Sequence, residues 1–393
     1  MMSAPNEPSR DAAAPPAPSQ VVYTVSAPDN RHYLAVACKR TYSFKSGRAE
    51  LADEQAPLNL LPIFDVDADG AMTRLYDDID LTAPKLATDL VIRGTVRCPA
   101  PTPRHTIGVK VGRADRTLEL LGPREANVGL RTEVTFSEPA PFSELALDLS
   151  HAYGGFDAFA QLAYDGGRAW RQHPEPRRPQ PPGLFAYPRN PFGVGYFIDV
   201  DRRRANGGAL PRIEDPADPL IASRFFVRSP RAWIDAPIPG NLGFVPYHCF
   251  PRMARLAGPL VEHAPATRAL GEARFDDADD LRSGKPLPAR GVQGSAPGMA
   301  VDRLRGSEAV LLRGMFPGTA EATLVLPGER PRVKVAVPDL GNIKPEAELQ
   351  TVRIDLDRLT VSLTWIAASR VSFRVPETEL TRCTPEVQWR ASN

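Results

Sequence analysis

Forty-two prolines are spread along a chain of 393 residues, and this distribution restricts the fold more than any other feature. Proline has no backbone N–H and breaks helix interiors, so a helical bundle is excluded. Short strands joined by turns remain, and the expected fold is mainly β. Its expected form is two β-sandwich-like units with long Pro/Gly-rich loops and few short helices.

The apolar residues support this reading. Side chains at i and i+2 of a strand share one face of a sheet, and such alternation recurs at Ile107, Val109 and Val111, at Leu118 and Leu120, and at Leu145, Leu147 and Leu149. Near the C-terminus, Val352, Ile354 and Leu356 alternate, then Leu359, Val361, Leu363 and Trp365, with Asp357-Arg358 between them. That pattern predicts a hairpin. Val333, Val335 and Val337 predict a further strand, ended by Pro338.

The expected organisation is a disordered tail over 1–20, an N-terminal β domain over 21–160 and a loop-rich connecting region with short helices over 161–300. C-terminal strands over 301–375 are expected to pack with that middle region, and 376–393 form a tail. The middle holds the densest Pro/Gly stretches, Pro174–Gly183 and Pro286–Gly298. Met253, Leu256, Leu260 and Val261 have roughly helical spacing over 252–273, but Pro259 and Pro265 interrupt it. No repeat of fixed period is present.

Basic and acidic residues nearly cancel, 48 against 47, whereas a surface for phosphate backbones normally shows a basic excess. Nucleic acid is therefore not an expected partner. Cys38, Cys98, Cys249 and Cys383 lie far apart and form no zinc-ligand spacing, which is the usage of a reducing compartment. The Ala/Pro/Ser-rich start does not resemble a secretory signal, and no run of ~18 apolar residues could span a membrane. The expected location is the cytoplasm, with no membrane partner.

Motifs that carry chemistry are scarce. The sequence has no G-x-S-x-G elbow, H-E-x-x-H, P-loop or dinucleotide fingerprint. Asp65, Asp67 and Asp69, followed by Gly70, match the start of a calcium loop, but Tyr76 stands where its final bidentate Glu belongs. A polar turn explains the string more simply. His151 and Asp157 could form a base with its orienting carboxylate, the core of a β-scaffold hydrolase. A structural histidine at a strand end is the simpler account. No cofactor is expected.

Two segments are distinctive. In His151-Ala-Tyr153-Gly154-Gly155-Phe-Asp157, paired glycines follow a strand, as where a chain turns tightly or another backbone approaches closely. In Tyr187-Pro-Arg189-Asn190-Pro191-Phe-Gly193-Val-Gly195-Tyr196, Asn-Pro and two glycines predict a shaped loop that exposes aromatics. Turn chemistry accounts for both as well as a binding role does.

Taken in order with three further segments, these motifs resemble the bacterial family of domain of unknown function 2169. The further segments are Arg116 to Pro123, Gly306-Ser-Glu308-Ala-Val310-Leu-Leu312, and Thr351-Val352-Arg-Ile354 through Trp365. The resemblance covers roughly residues 30 to 368. The sequence departs from the family pattern after Pro251-Arg252, and only Phe275-Asp276-Asp277 remains of a later acidic segment.

The resemblance implies a non-enzymatic adaptor that holds an effector of type VI secretion, PAAR-bearing or similar, until it docks on the spike protein. The residues expected to contact such a partner are His151, Tyr153, Gly154, Gly155, Asp157, Tyr187, Asn190, Pro191, Gly193, Gly195 and Tyr196. A β-scaffold hydrolase, or a calcium- or carbohydrate-binding β-sandwich, is the alternative.

Overall fold

Alternating apolar strands need partners to bury their faces, and the longest partners here come from opposite ends of the chain. In the computed structural model, which describes residues 19–26, 32–44, 47–66, 72–165, 185–245, 293–338, 341–372 and 375–391, strand His32–Ser43 pairs antiparallel with Thr360–Val371. The register runs from His32↔Val371 to Ser43↔Thr360. Thr360–Val371 also forms the expected hairpin with Ala347–Asp355. The Asp355 carboxylate tightens its turn by accepting from the backbone N–H groups of Asp357 (3.1 Å) and Arg358 (2.9 Å).

Beyond this hairpin, Thr88–Arg93 lies parallel to Ala347–Asp355, with Thr351 opposite Asp89. Gln20–Ser26 and Ala300–Val301 close the two sides of the sheet. N-terminal and C-terminal strands thus interleave in one sheet, and the boundaries at 160 and 301 do not divide the core.

A second sheet has the order Ile213–Glu214, Ala114–Leu121, Arg104–Val111, Ala309–Phe316, Thr319–Val325. Its alternating residues Ile107, Val109, Leu118, Leu120, Val310 and Leu312 join Val352, Ile354, Leu363 and Trp365 in one buried cluster. Full burial of such a side chain contributes about 1.5–3 kcal/mol, so this shared core dominates the stability of the fold. The fold is mainly β, and among the described residues its helices are short: Ala158–Asp165, Glu377–Leu380 and several 3₁₀ stretches. Among the described residues, no helix is long and apolar enough to cross a membrane.

Two regions differ from the sequence expectation. Residues 376–393, expected as a tail, contain strand Thr384–Ala391, which pairs with Glu329–Val337 from Glu329↔Ala391 to Ala336↔Thr384. Its half-buried residues are Pro385, Val387 and Trp389, which alternate with exposed neighbours. The Arg40 guanidinium stacks over Trp389 at 4.2 Å.

The middle of the chain is likewise more than connection. Tyr153, Phe185, Tyr187, Tyr196, Ile198, Phe225 and Val227 form a second core of their own. The expected tail over 1–20 lies outside the described residues except for Ser19 and Gln20, and so do the helical pattern over 252–273 and the departures at Pro251–Gly258 and Phe275–Asp277.

Candidate partner-binding site

The two distinctive motifs meet. Tyr153–Gly154 runs parallel to Val194–Gly195, pairing Tyr153 with Val194 and Gly154 with Gly195. Backbone N–H groups bind across the junction: Gly155 to the Asn190 carbonyl (2.9 Å), Val194 to Ala152 (3.0 Å), Tyr196 to Gly154 (3.0 Å) and Tyr187 to Gly155 (2.8 Å). Asn190 is fully buried. Its side-chain amide donates to the carbonyls of Leu149 (2.7 Å) and Tyr153 (3.1 Å), and its side-chain oxygen accepts from Phe192 N–H (3.3 Å).

Glycine is required here by close approach. A Cβ on Gly155, at φ +114°, would stand 2.5 Å from the Gly193 carbonyl oxygen, and one on Gly193 would stand 2.4 Å from that of Ala152.

Asp157 closes this knot. Its carboxylate caps the helix Ala158–Asp165 through Ala160 N–H (2.9 Å) and accepts Ile198 N–H (2.8 Å). It also receives both arms of the Arg204 guanidinium, one at 2.7 Å. Capping oxygens satisfy helix N–H groups that have no other partner, and a two-pronged Arg contact fixes geometry as well as charge.

Beneath the knot, the rings of Tyr153, Tyr187 and Tyr196 pack with centroids 5.2–6.5 Å apart. Burial pushes the Tyr187 phenol up to about 12, and its hydroxyl donates to the Pro237 carbonyl at 2.8 Å.

The expectation of exposed aromatics is corrected at this point. Phe185, Tyr187 and Tyr196 are buried, as is Tyr153, because each ring fills the second core. Phe192 and Phe197 are half-buried, and the most exposed aromatics near the knot belong to the first motif and the helix after it: Phe156 is 49% exposed and Phe159 45%, followed by Leu162 at 69%. Phe156 and Phe159 border a groove of about 270 Å³ also lined by Gly154, Gly155, Gly193, Gly195, Tyr196 and Phe197. Arg204 holds its guanidinium over Phe159 (4.8 Å) and Phe197 (5.5 Å). One residue therefore anchors Asp157 beneath the surface and braces an exposed ring above it.

The family model described as "Uncharacterized protein conserved in bacteria (DUF2169)" matches residues 29–366, a span that contains the whole knot. This chain belongs to that family. No curated protein and no solved structure matches it. The family resemblance read from the motifs thus holds for the chain, and the knot is where its two most distinctive motifs meet.

The remaining predicted residues of this family member lie elsewhere or serve other ends. His151 is on a 3₁₀ turn, Leu149–His151, capped by the Asp148 side chain, and not at a strand end. Burial lowers its pKa. Asp148 opposes that shift, and Arg212 and Arg74 add to it. The carboxylate acting on His151 is thus Asp148, whereas Asp157 is held by Arg204 and backbone N–H groups. Pro191 is half-buried in the loop that carries Asn190. Asp65 pairs with Arg74, which also reaches Asp148 at 2.8 Å, while Asp67 and Asp69 lie outside the described residues. Among the described residues no three His, Cys, Asp or Glu side chains are grouped to hold a metal.

Sequence reasoning missed a buried charge network on the far face of the main sheet. Asp80 binds Lys39 (2.8 Å), Thr364 (3.0 Å) and Asn59 N–H (2.8 Å). Arg353 bridges Asp77 (2.8 Å) and Asp80 (3.5 Å), and Arg93 links Asp77 (3.2 Å) to Asp355 (3.0 Å). Burial alone would raise the Asp80 carboxyl, but Lys39 and Arg353 beside it hold it well below the usual carboxylate range.

A neighbouring group ties Asp89 to Lys85 (2.6 Å), Ser295 Oγ (2.6 Å) and Gly294 N–H (2.8 Å). The available signal was a lone charge inside an apolar run, as with Lys39 after Leu34–Cys38 and Arg353 between Val352 and Ile354.

Proposed function

We propose that this family member is a cytoplasmic, non-enzymatic adaptor that binds a type VI secretion effector, PAAR-bearing or similar, and promotes its loading onto the spike protein. The observation that carries this reading is the surface of the knot. Phe156 and Phe159 stand exposed at a groove, with Leu162 exposed on the helix that follows, while the polar groups Asp157 and Asn190 are occupied in holding the backbone. Rigidly supported exposed aromatics suit protein recognition, because they bury apolar area with little ordering cost. Two of the five motifs that carry the family resemblance build this surface.

The test is affinity purification of the tagged full chain from its native bacterium, with mass spectrometry of the co-purifying proteins. Enrichment of a PAAR-bearing effector or a spike protein is expected, with loss of that enrichment in Phe156→Ser/Leu162→Ser. Absence of both proteins while the secretion genes are expressed would overturn the reading.

A further inference from the structure

A larger groove lies away from the knot. Strand Glu329–Val337, the start of Ala347–Asp355 and the segment around Arg303–Arg305 enclose about 960 Å³. Its lining includes the apolar residues Leu304, Pro331, Val333, Ala347, Leu349 and Trp365, all buried. Its walls carry Arg303, Arg305, Arg330, Arg332, Lys344 and Arg390.

Arg303 pairs with Glu348 and Arg330 with Glu346, each at 2.6 Å. Among the described residues, Arg305, Arg332 and Lys344 have no ion pair, and all three are exposed. Trp365 is only 1% exposed, and its indole N–H has no acceptor among the described residues.

We propose that this groove is a second binding site and that its occupant is an extended acidic peptide segment whose carboxylates alternate with apolar side chains. Arg330 and Arg332 stand on the same face of their strand, about 7 Å apart. That spacing equals the i, i+2 repeat of side chains along an extended peptide. Arg390 is directly opposite Arg330 in the adjoining strand and widens the cationic row. Guanidinium groups favour carboxylates through paired hydrogen bonds.

An alternating segment would set its carboxylates against Arg305, Arg332 and Lys344 and its apolar residues over the apolar lining between them. Glu346 and Glu348 share the same lining. The inference goes beyond the adaptor reading and does not depend on it, since peptide binding here needs no secretion machinery.

The test is fluorescence anisotropy of the purified full chain with a labelled decapeptide of alternating glutamate and valine, and with its glutamine counterpart. The glutamate peptide is expected to bind saturably, more weakly as salt rises, and about tenfold or more tighter than the glutamine peptide. Arg332→Glu/Lys344→Glu should weaken binding at least as much without changing the melting temperature. Phe156→Ser at the knot should leave it unchanged. Three results would each overturn the proposal: no saturable binding, equal affinity for the glutamine peptide, or unaltered affinity in the charge-reversed variant. Displacement by a short single-stranded DNA at lower concentration than by unlabelled peptide would also overturn it, assigning the groove to polyphosphate.

Discussion

The carbonyl oxygen of Asn190 lies 2.1 Å from where a Cβ on Gly154 would stand. No side chain fits between these two backbones, so the chain's two distinctive motifs interlock at a contact that only glycine permits. The contact sits under the exposed ring of Phe156, and the surface proposed to bind a partner therefore inherits its shape from it.

Gly154→Ala should accordingly be severely destabilising. Overpacking against backbone costs about 1–3 kcal/mol, and the positive φ adds roughly 1–2 kcal/mol more. Gly318→Ala is the control: its φ is +74° and nothing lies within 4 Å of the added Cβ. Urea titration should show a loss of roughly 3 kcal/mol or more for the first and about 1 kcal/mol for the second. Equal losses would mean that the knot is not tight.

Removing the Asp157 carboxylate leaves the Arg204 guanidinium, Ile198 N–H and a helix N-terminus unsatisfied together. Asp157→Ala should cost about 3–5 kcal/mol, as when one partner of a buried pair is lost. In a thermal-melt cycle with Arg204→Met, the double variant should be more stable than the sum of the single losses requires. Simple additivity would show that the two residues do not act as a pair.

The exposed ring and leucine should behave in the opposite way. Phe156→Ser and Leu162→Ser are surface changes expected to stay within about 0.5 kcal/mol of the parent stability. Capture of the partner should nevertheless fall sharply in co-purification. Full capture by the double variant would place the partner surface elsewhere.

Acid should unfold the protein through the charge network. The Asp80 pKa is lower in the folded state than its ordinary value near 4. Its contribution is therefore present above about pH 4 and is lost as pH falls toward the folded value. His151, also lowered on folding, contributes a loss of the same sign below about pH 6.5. Denaturant midpoints should decline in two steps as pH falls. His151→Gln should remove the upper step and Asp80→Asn the lower, and a midpoint independent of pH would refute both assignments.

Much of the architecture can be read directly from residue order. Strands such as Ile107–Val111, Val333–Val337 and the Val352–Trp365 hairpin announce themselves, because each apolar residue sits on one face of a pleated chain. Glycine pairs at 154–155 and 193–195 likewise predict close backbone contact, since no other residue tolerates it. Thr384–Ala391 was harder to see because its alternation uses Pro385, Val387 and Trp389 among polar neighbours.

The sequence alone therefore determined the fold class, the positions of the clearly alternating strands and the family, because period-2 patterning, proline and glycine act locally. Tertiary structure decided which residues met. It placed Asp157 with Arg204 and left His151 with Asp148. It buried Tyr187 and Tyr196 while exposing Phe156 and Phe159, and it brought Lys39, Asp80 and Arg353 into one dry cluster. The physical reason is that the burial and pairing of a side chain depend on neighbours tens to hundreds of residues away, and local periodicity carries no record of that separation.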